Sequence, residues 1–246
     1  MSNPTPLPED PRTLWLSTAP PDRGPRAQKH ELVRLTKRIV EDVALLDVGE
    51  IEDDELAGLI RDAQALAHRL DARPSLRAKG GPTASGGDDA VLTERSGITG
   101  KSNPLAPPVE LWFEGDVTRG AAVWTDAYEG PPGCVHGGFI AAAFDDLLGC
   151  AQMTSGLAGF TGTLTVKMLK PTPLNRRIQY EAGVDRVEGR KIWCWGRAWF
   201  GRDLLAEATC VFIQPSAGML EHLGDLVPDE LDGVVTEEWR RQGETA

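Results

Sequence analysis

Apolar positions follow two different periods along this chain. In the N-terminal third, Leu32, Leu35, Ile39, Val43 and Leu46 recur at helical spacing, and so do Leu56, Leu59, Ile60, Ala63, Leu66 and Leu70. Each set falls on one stripe of an α-helix. Between them DVGEIEDD supplies a turn and then acids suited to a helix N-terminus. The pattern predicts a helical hairpin over about 28–72, inside an N-terminal extension of residues 1–80. Such a pair cannot bury both stripes by itself, so it is expected to pack on another surface. Residues 1–26 are rich in proline and polar groups and are expected to be mobile, with Trp15 as a residue that can dock.

Residues 73–103 have no sustained period and are dense in Gly, Ser, Thr and Pro, the composition of a linker. We place a flexible linker at 81–103. From Pro104 the period shortens. VELWFEGD and GAAVWTDA read as short strands, followed by a helix from about Gly137 to Gly156. FTGTLTVKML, RIQYEAGVDRV, KIWCWGRAWF and LLAEATCVFIQ then read as four strands, separated by PTPLN, EGR and GRD. Short turns between successive strands imply an antiparallel sheet. One long helix against such a sheet is an α+β domain, placed at 104–214. An acidic tail occupies 215–246.

In KIWCWGRAWF, Ile192, Cys194, Gly196 and Ala198 alternate with Trp193, Trp195, Arg197 and Trp199. The small face suits close packing on the helix. The tryptophan face is large enough to need a cover. The N-terminal helices or a second dimer are the expected covers.

Charge narrows the choice of partners. The 246 residues include 26 Lys and Arg against 37 Asp and Glu, a net charge of −11. That balance repels phosphate backbones and argues against nucleic acid. Hydrophobic residues make up 41%, enough for a sizeable core. No stretch approaches the ~20 apolar residues of a membrane span, and the N-terminus lacks a signal-peptide pattern. Cys134, Cys150, Cys194 and Cys210 form no C-x-x-C pair, so no metal site is expected. A cytoplasmic protein with free thiols follows.

The segment GCVHGGFIAAAFDDLLG, residues 133–149, concentrates the candidate chemistry. A helix that starts at Gly137 and Gly138 presents free N–H groups and partial positive charge. Glycine lets a ligand approach them, which suits polarisation of a carbonyl. The plainer reading is that the glycines permit tight packing, and an isolated HGG favours it. His136 suits orientation of the turn through a ring N–H rather than acid–base work. Cys134 and His136 also fit a thiol nucleophile with its base, but no third orienting group accompanies them. Asp145 can act as general base or attack an acyl carbon. Asp146 is the better candidate for a structural partner, or for tuning Asp145 by like-charge repulsion. Asp145 lies nine residues after His136, ~13 Å along the helix and on roughly the opposite face. One helix cannot easily bring both to one atom. Antiparallel helices in a symmetric dimer can.

These residues, with FTGTLTVKMLKPTPL, VDRVEGRKIWCWGRA and EATCVFI, resemble the hotdog-fold acyl-CoA thioesterases over about 104–214. The resemblance is to the phenylacetate-pathway type and to thioesterase superfamily member 4. It implies a sheet wrapped around the long helix, dimers or dimers of dimers, and hydrolysis of an acyl-CoA to free acid and coenzyme A. By the same resemblance Asp145 is the catalytic carboxylate, Thr161 its polar partner that positions water, and Gly137 the backbone donor to the thioester carbonyl. Gly138 and His136 complete the turn. Coenzyme A enters as part of the substrate, so no separate cofactor is implied. The E-G-R-K hairpin, with Gly189, Arg190 and Lys191, is expected along the coenzyme, and Lys170, Arg176 and Arg177 are further cations. Solvated hairpin-tip cations are an equal reading. The other readings are a non-catalytic acyl-CoA-binding module and, behind it, an enoyl-CoA hydratase or dehydratase.

Overall fold

The computed structural model describes residues 23–74, 94–157 and 159–216. Among the described residues two helices come first, α1 (Pro25–Ala44) and α2 (Asp53–Asp71). Then come β1 (Val109–Glu114), β2 (Val117–Val123) and the long helix α3 (Gly137–Gln152). Then follow β3 (Phe160–Met168), β4 (Arg177–Glu188), β5 (Lys191–Phe200) and β6 (Asp203–Ile213). All pairings are antiparallel, in the order β1-β2-β4-β5-β6-β3. This is the α+β hotdog arrangement expected, a sheet packed on one long helix. The parts of the expected tail from residue 217, Trp15, and residues 75–93 of the expected linker lie outside the described residues.

Helix α3 is held by an apolar face at helical spacing. Ile140, Ala143, Phe144, Leu147, Leu148 and Ala151 are all buried. They meet the inward faces of β4, β5 and β6, including Ile178, Tyr180, Ile192, Ala208 and Phe212. Gly196 leaves room for the side chains of α3. A Cβ there would lie 3.1 Å from Phe144 Cδ1 and 3.3 Å from Leu148 Cδ2. Alternation in β5 is as the sequence reads: Ile192, Cys194, Gly196 and Ala198 inward, the tryptophans half-buried on the other face. Arginines of the same sheet lie over those rings, Arg186 4.2 Å from the Trp193 ring and Arg197 5.1 Å from Trp195.

Other differences from the sequence reading have local causes. β2 starts three residues earlier than expected and ends before Trp124. That ring is fully buried and donates its Nε1 hydrogen to Tyr180 Oη at 3.0 Å. Burial pushes the Tyr180 hydroxyl pKa well up, against the pull of that hydrogen bond. Helices α1 and α2 form as expected, but only Val33 of α1 is buried and nothing in α2 is. Their stripes, with Ile39, Val43 and Ile60 exposed, are not covered among the described residues. Residues 94–103, read as linker, are turns with Glu94 and Ser102 buried.

Candidate active site

The strand after α3 holds the feature on which the site depends. In β3, Leu164, Val166 and Met168 stand opposite Cys210, Ala208 and Ala206 of β6, whose side chains face the core. Strict alternation would send Thr161 to the other face with Thr163 and Thr165. A β-bulge intervenes: Thr161 pairs with Phe212 and Thr163 with Val211, leaving Gly162 as the extra residue. Thr161 therefore shares the inward face of the buried Phe212. Its hydroxyl donates to Asp145 Oδ1 on α3 at 2.9 Å. Glycine at 162 spares the bulge a clash, because a Cβ would stand 2.8 Å from Ile213 Cγ1 and 3.1 Å from the Val211 carbonyl oxygen.

Asp145 and Asp146 diverge by about 100° around α3. Asp145 is half-buried and faces Thr161. Asp146 turns to the segment before β1, where its Oδ2 accepts from Ser96 Oγ at 2.9 Å and Thr99 Oγ1 at 2.7 Å. Burial raises the Asp146 pKa, the two hydroxyls oppose this, and the Asp145 charge adds to the rise. Asp146 is thus a structural partner, as the sequence suggests.

At the other end of α3, His136 is the N-cap. Its Nδ1 accepts from the Gly138 N–H at 3.0 Å. The ring does brace the turn, though by accepting rather than by donating as expected. The backbone of a turn at a helix start offers donors, so the ring must supply the acceptor. The Gly138 N–H is thereby used. Among the described residues the Gly137 N–H has no acceptor. Its Cα faces the end of the Met168 side chain, 2.8 Å from where a Cβ would sit. Phe139 of this turn packs edge-on against Tyr128, with centroids 4.9 Å apart.

The structure separates these two halves within one chain. Gly137 and Asp145 are ~12 Å apart along the helix axis. Gly137 sits at the Met168 end of β3 and Asp145 at the Thr161 end. β3 is an edge strand, exposed along most of its length.

The candidate cations divide the same way. Lys191 pairs with Ile213, which pairs with Phe160, so the Gly189–Lys191 hairpin stands two strand spacings, ~10 Å, from the Thr161 end. Gly189 has φ 56°, the left-handed conformation of a tight hairpin. Arg190 commits its Nε–H to the Gln214 carbonyl at 2.9 Å, with Nη2 on the same oxygen. Lys191 is exposed. Lys170 lies past the far end of β3 and pairs with Asp203 on the surface. Arg176 and Arg177 are exposed beside the start of β4. The structure thus joins Asp145 with Thr161 and places Lys191 nearby, while Lys170 stands apart.

Burial pushes the thiols of Cys194 and Cys210 up to about 12, which leaves neither as a nucleophile at neutral pH. Cys134 and His136 have no hydrogen bond to one another among the described residues. Sequence reasoning missed Ser96 and Thr99. Their only signal is a short run of hydroxyl and charged side chains, TERSGITGKS, between glycines.

No family model matches the chain. It is 36% identical over 88 residues to an acyl-coenzyme A thioesterase THEM4 from Xenopus laevis, a match covering 35% of this chain and 40% of the relative. It is 34% identical over 88 residues to THEM4 from Mus musculus, covering 35% and 38%. The chain therefore spans well under half the length of these relatives. A solved thioesterase superfamily protein superimposes with TM-score 0.69 at 27% identity, over 81% of this chain and all of that one. Residues 104–246 are too few to account for that share, so the likeness reaches into the N-terminal extension.

Proposed function

We propose that this hotdog-fold chain, similar in sequence to acyl-CoA thioesterases and in structure to a thioesterase superfamily protein, hydrolyses an acyl-CoA to the free acid and coenzyme A. One observation carries the reading. A bulge at Gly162 turns Thr161 inward so that its hydroxyl holds one oxygen of Asp145. The other oxygen stays available to take a proton from water. That water attacks the thioester carbon, and Asp145 takes its proton. The carbonyl oxygen gains charge at a helix N-terminus whose Gly137 N–H is free to donate among the described residues. The C–S bond then breaks, and the proton passes to the departing thiolate.

The working unit in this proposal is a dimer. Antiparallel pairing of two β3 edges about a two-fold near Leu164 and Thr165 sets Thr161 of one protomer beside the partner's Met168. That residue lies over the Gly137 turn in each chain. Each Asp145 then meets the other protomer's N–H donor, and the ~12 Å separation within one chain is removed. Lys191 and the remaining donors of Arg190 are the cations proposed for the coenzyme phosphates. Four free cysteines fit a reducing compartment such as the cytoplasm.

The test is thiol release from a panel of acyl-CoAs by wild type and Asp145→Ala. Release by wild type and loss of about 100-fold or more in a folded, dimeric mutant supports the reading. Binding without release would replace it with a non-catalytic acyl-CoA-binding module.

A further inference from the structure

The segment between the N-terminal helices and β1 joins two charged sites that have no evident reason to be connected. At one end Glu94 is buried, its side chain fully so. It accepts from Arg26 Nη2 of α1 at 2.9 Å and from Ser102 Oγ at 2.5 Å, with His30 Nε2 of α1 at 2.5 Å. Two residues further on, Ser96 Oγ reaches Asp146, and Thr99 follows. Backbone bonds close the segment on itself: Gly100 N–H to Ser96 O at 3.2 Å and Ser102 N–H to Glu94 O at 2.9 Å. Ser96 Oγ also accepts from the Ile98 N–H at 3.1 Å. The turn is so tight that a Cβ at Gly100 would lie 2.5 Å from the Ser96 backbone.

We infer that residues 94–102 form a clip that makes α1 part of the active-site scaffold, with Ser96 and Thr99 positioning Asp145 through Asp146. Asp146 is the neighbour of Asp145 on one helical turn, so two hydroxyls on its carboxylate fix the rotation and height of that turn against β3. The hydroxyls are themselves fixed only if the clip is closed. Closure depends on Glu94, whose buried carboxylate is matched by Arg26 and His30 of α1. A chain of contacts therefore runs from α1 to the Asp145–Thr161 pair. It gives the extension a role that the hotdog domain alone does not require. The likeness to a solved thioesterase superfamily protein across 81% of this chain also extends beyond that domain.

This inference rests on the thioesterase reading only for its kinetic readout. It is tested on the full chain with Ser96→Ala/Thr99→Val, with the conservative Thr99→Ser, and with Arg26→Ala, which is remote from α3. Two quantities are measured: kcat and KM for an acyl-CoA that wild type hydrolyses, and hydrogen exchange of the α3 amides around residues 145–149. The expected result is a fall in kcat of roughly 10- to 100-fold in the double mutant, from a misplaced base, with KM within about twofold. Thr99→Ser is expected to retain wild-type kcat, and Arg26→Ala to lower kcat and speed exchange in α3. Unchanged α3 exchange in both Arg26→Ala and the double mutant would overturn the inference. So would a kcat loss in Thr99→Ser equal to that of the double mutant. If wild type releases no thiol, the thioesterase reading fails alone, and the exchange measurement still decides the clip.

Discussion

Replacing Glu94 by Gln removes the charge that Arg26 and His30 of α1 enclose. The size of the effect follows from the site. Burial alone would raise the Glu94 pKa, but hydrogen bonds from Arg26, His30 and Ser102, with the Arg26 charge, bring it from 4.5 down to about 2. At 1.36 kcal/mol per pH unit that difference is worth about 3 kcal/mol. It agrees in scale with the roughly 3–5 kcal/mol lost on breaking a buried pair. The sign is fixed by linkage. A carboxylate with a depressed folded-state pKa stabilises fully above its ordinary value. That stability is lost as pH falls from about 4.5 through about 2. Glu94→Gln should therefore be about 3 kcal/mol less stable than wild type at pH 7, with less than about half that difference left at pH 3. Urea unfolding followed by far-ultraviolet circular dichroism at both pH values reads this. Equal midpoints at pH 7, or a difference undiminished at pH 3, would refute the reasoning.

Other substitutions probe the site and its support. Gly162→Ala should lower kcat by about 10-fold or more with the fold retained, because the new methyl presses on Ile213 and the Val211 carbonyl and disturbs the bulge that aims Thr161; steady-state kinetics and circular dichroism check both halves. Gly196→Ala should cost about 1–3 kcal/mol, since its methyl would meet Phe144 and Leu148 at 3.1–3.3 Å, and a thermal melt measures it. Tyr180→Phe should cost about 1–3 kcal/mol by leaving the buried Trp124 N–H without its acceptor, again read by a melt. Cys194 and Cys210, with thiols held up to about 12, should resist a disulfide reagent at pH 8 until the chain is unfolded, as labelling followed by mass spectrometry would show.

What the sequence revealed and what it concealed have physical causes. The strands and α3 are legible because each has one buried face, so period 2 and period 3.6 are written into Ile192–Ala198 and Ile140–Leu148. Asp145 stands out as a charge in an apolar helix. The orientation of Thr161 is not legible from alternation, which points it outward; resemblance supplied the residue, and the bulge at Gly162 supplies the reason. The clip is concealed because its order comes from contacts far along the chain: Glu94 with Arg26 and His30, and Ser96 and Thr99 with Asp146. A run of Ser, Thr and Gly reads locally as linker whether or not distant residues hold it.

The central claim is that Asp145, held by Thr161, drives thioester hydrolysis. Thiol release from an acyl-CoA panel, measured side by side on wild type and on folded, dimeric Asp145→Ala, tests it most directly. The account predicts release by wild type and its near-complete loss in the mutant. Equal release by both, or acyl-CoA binding by wild type with no release, would contradict it.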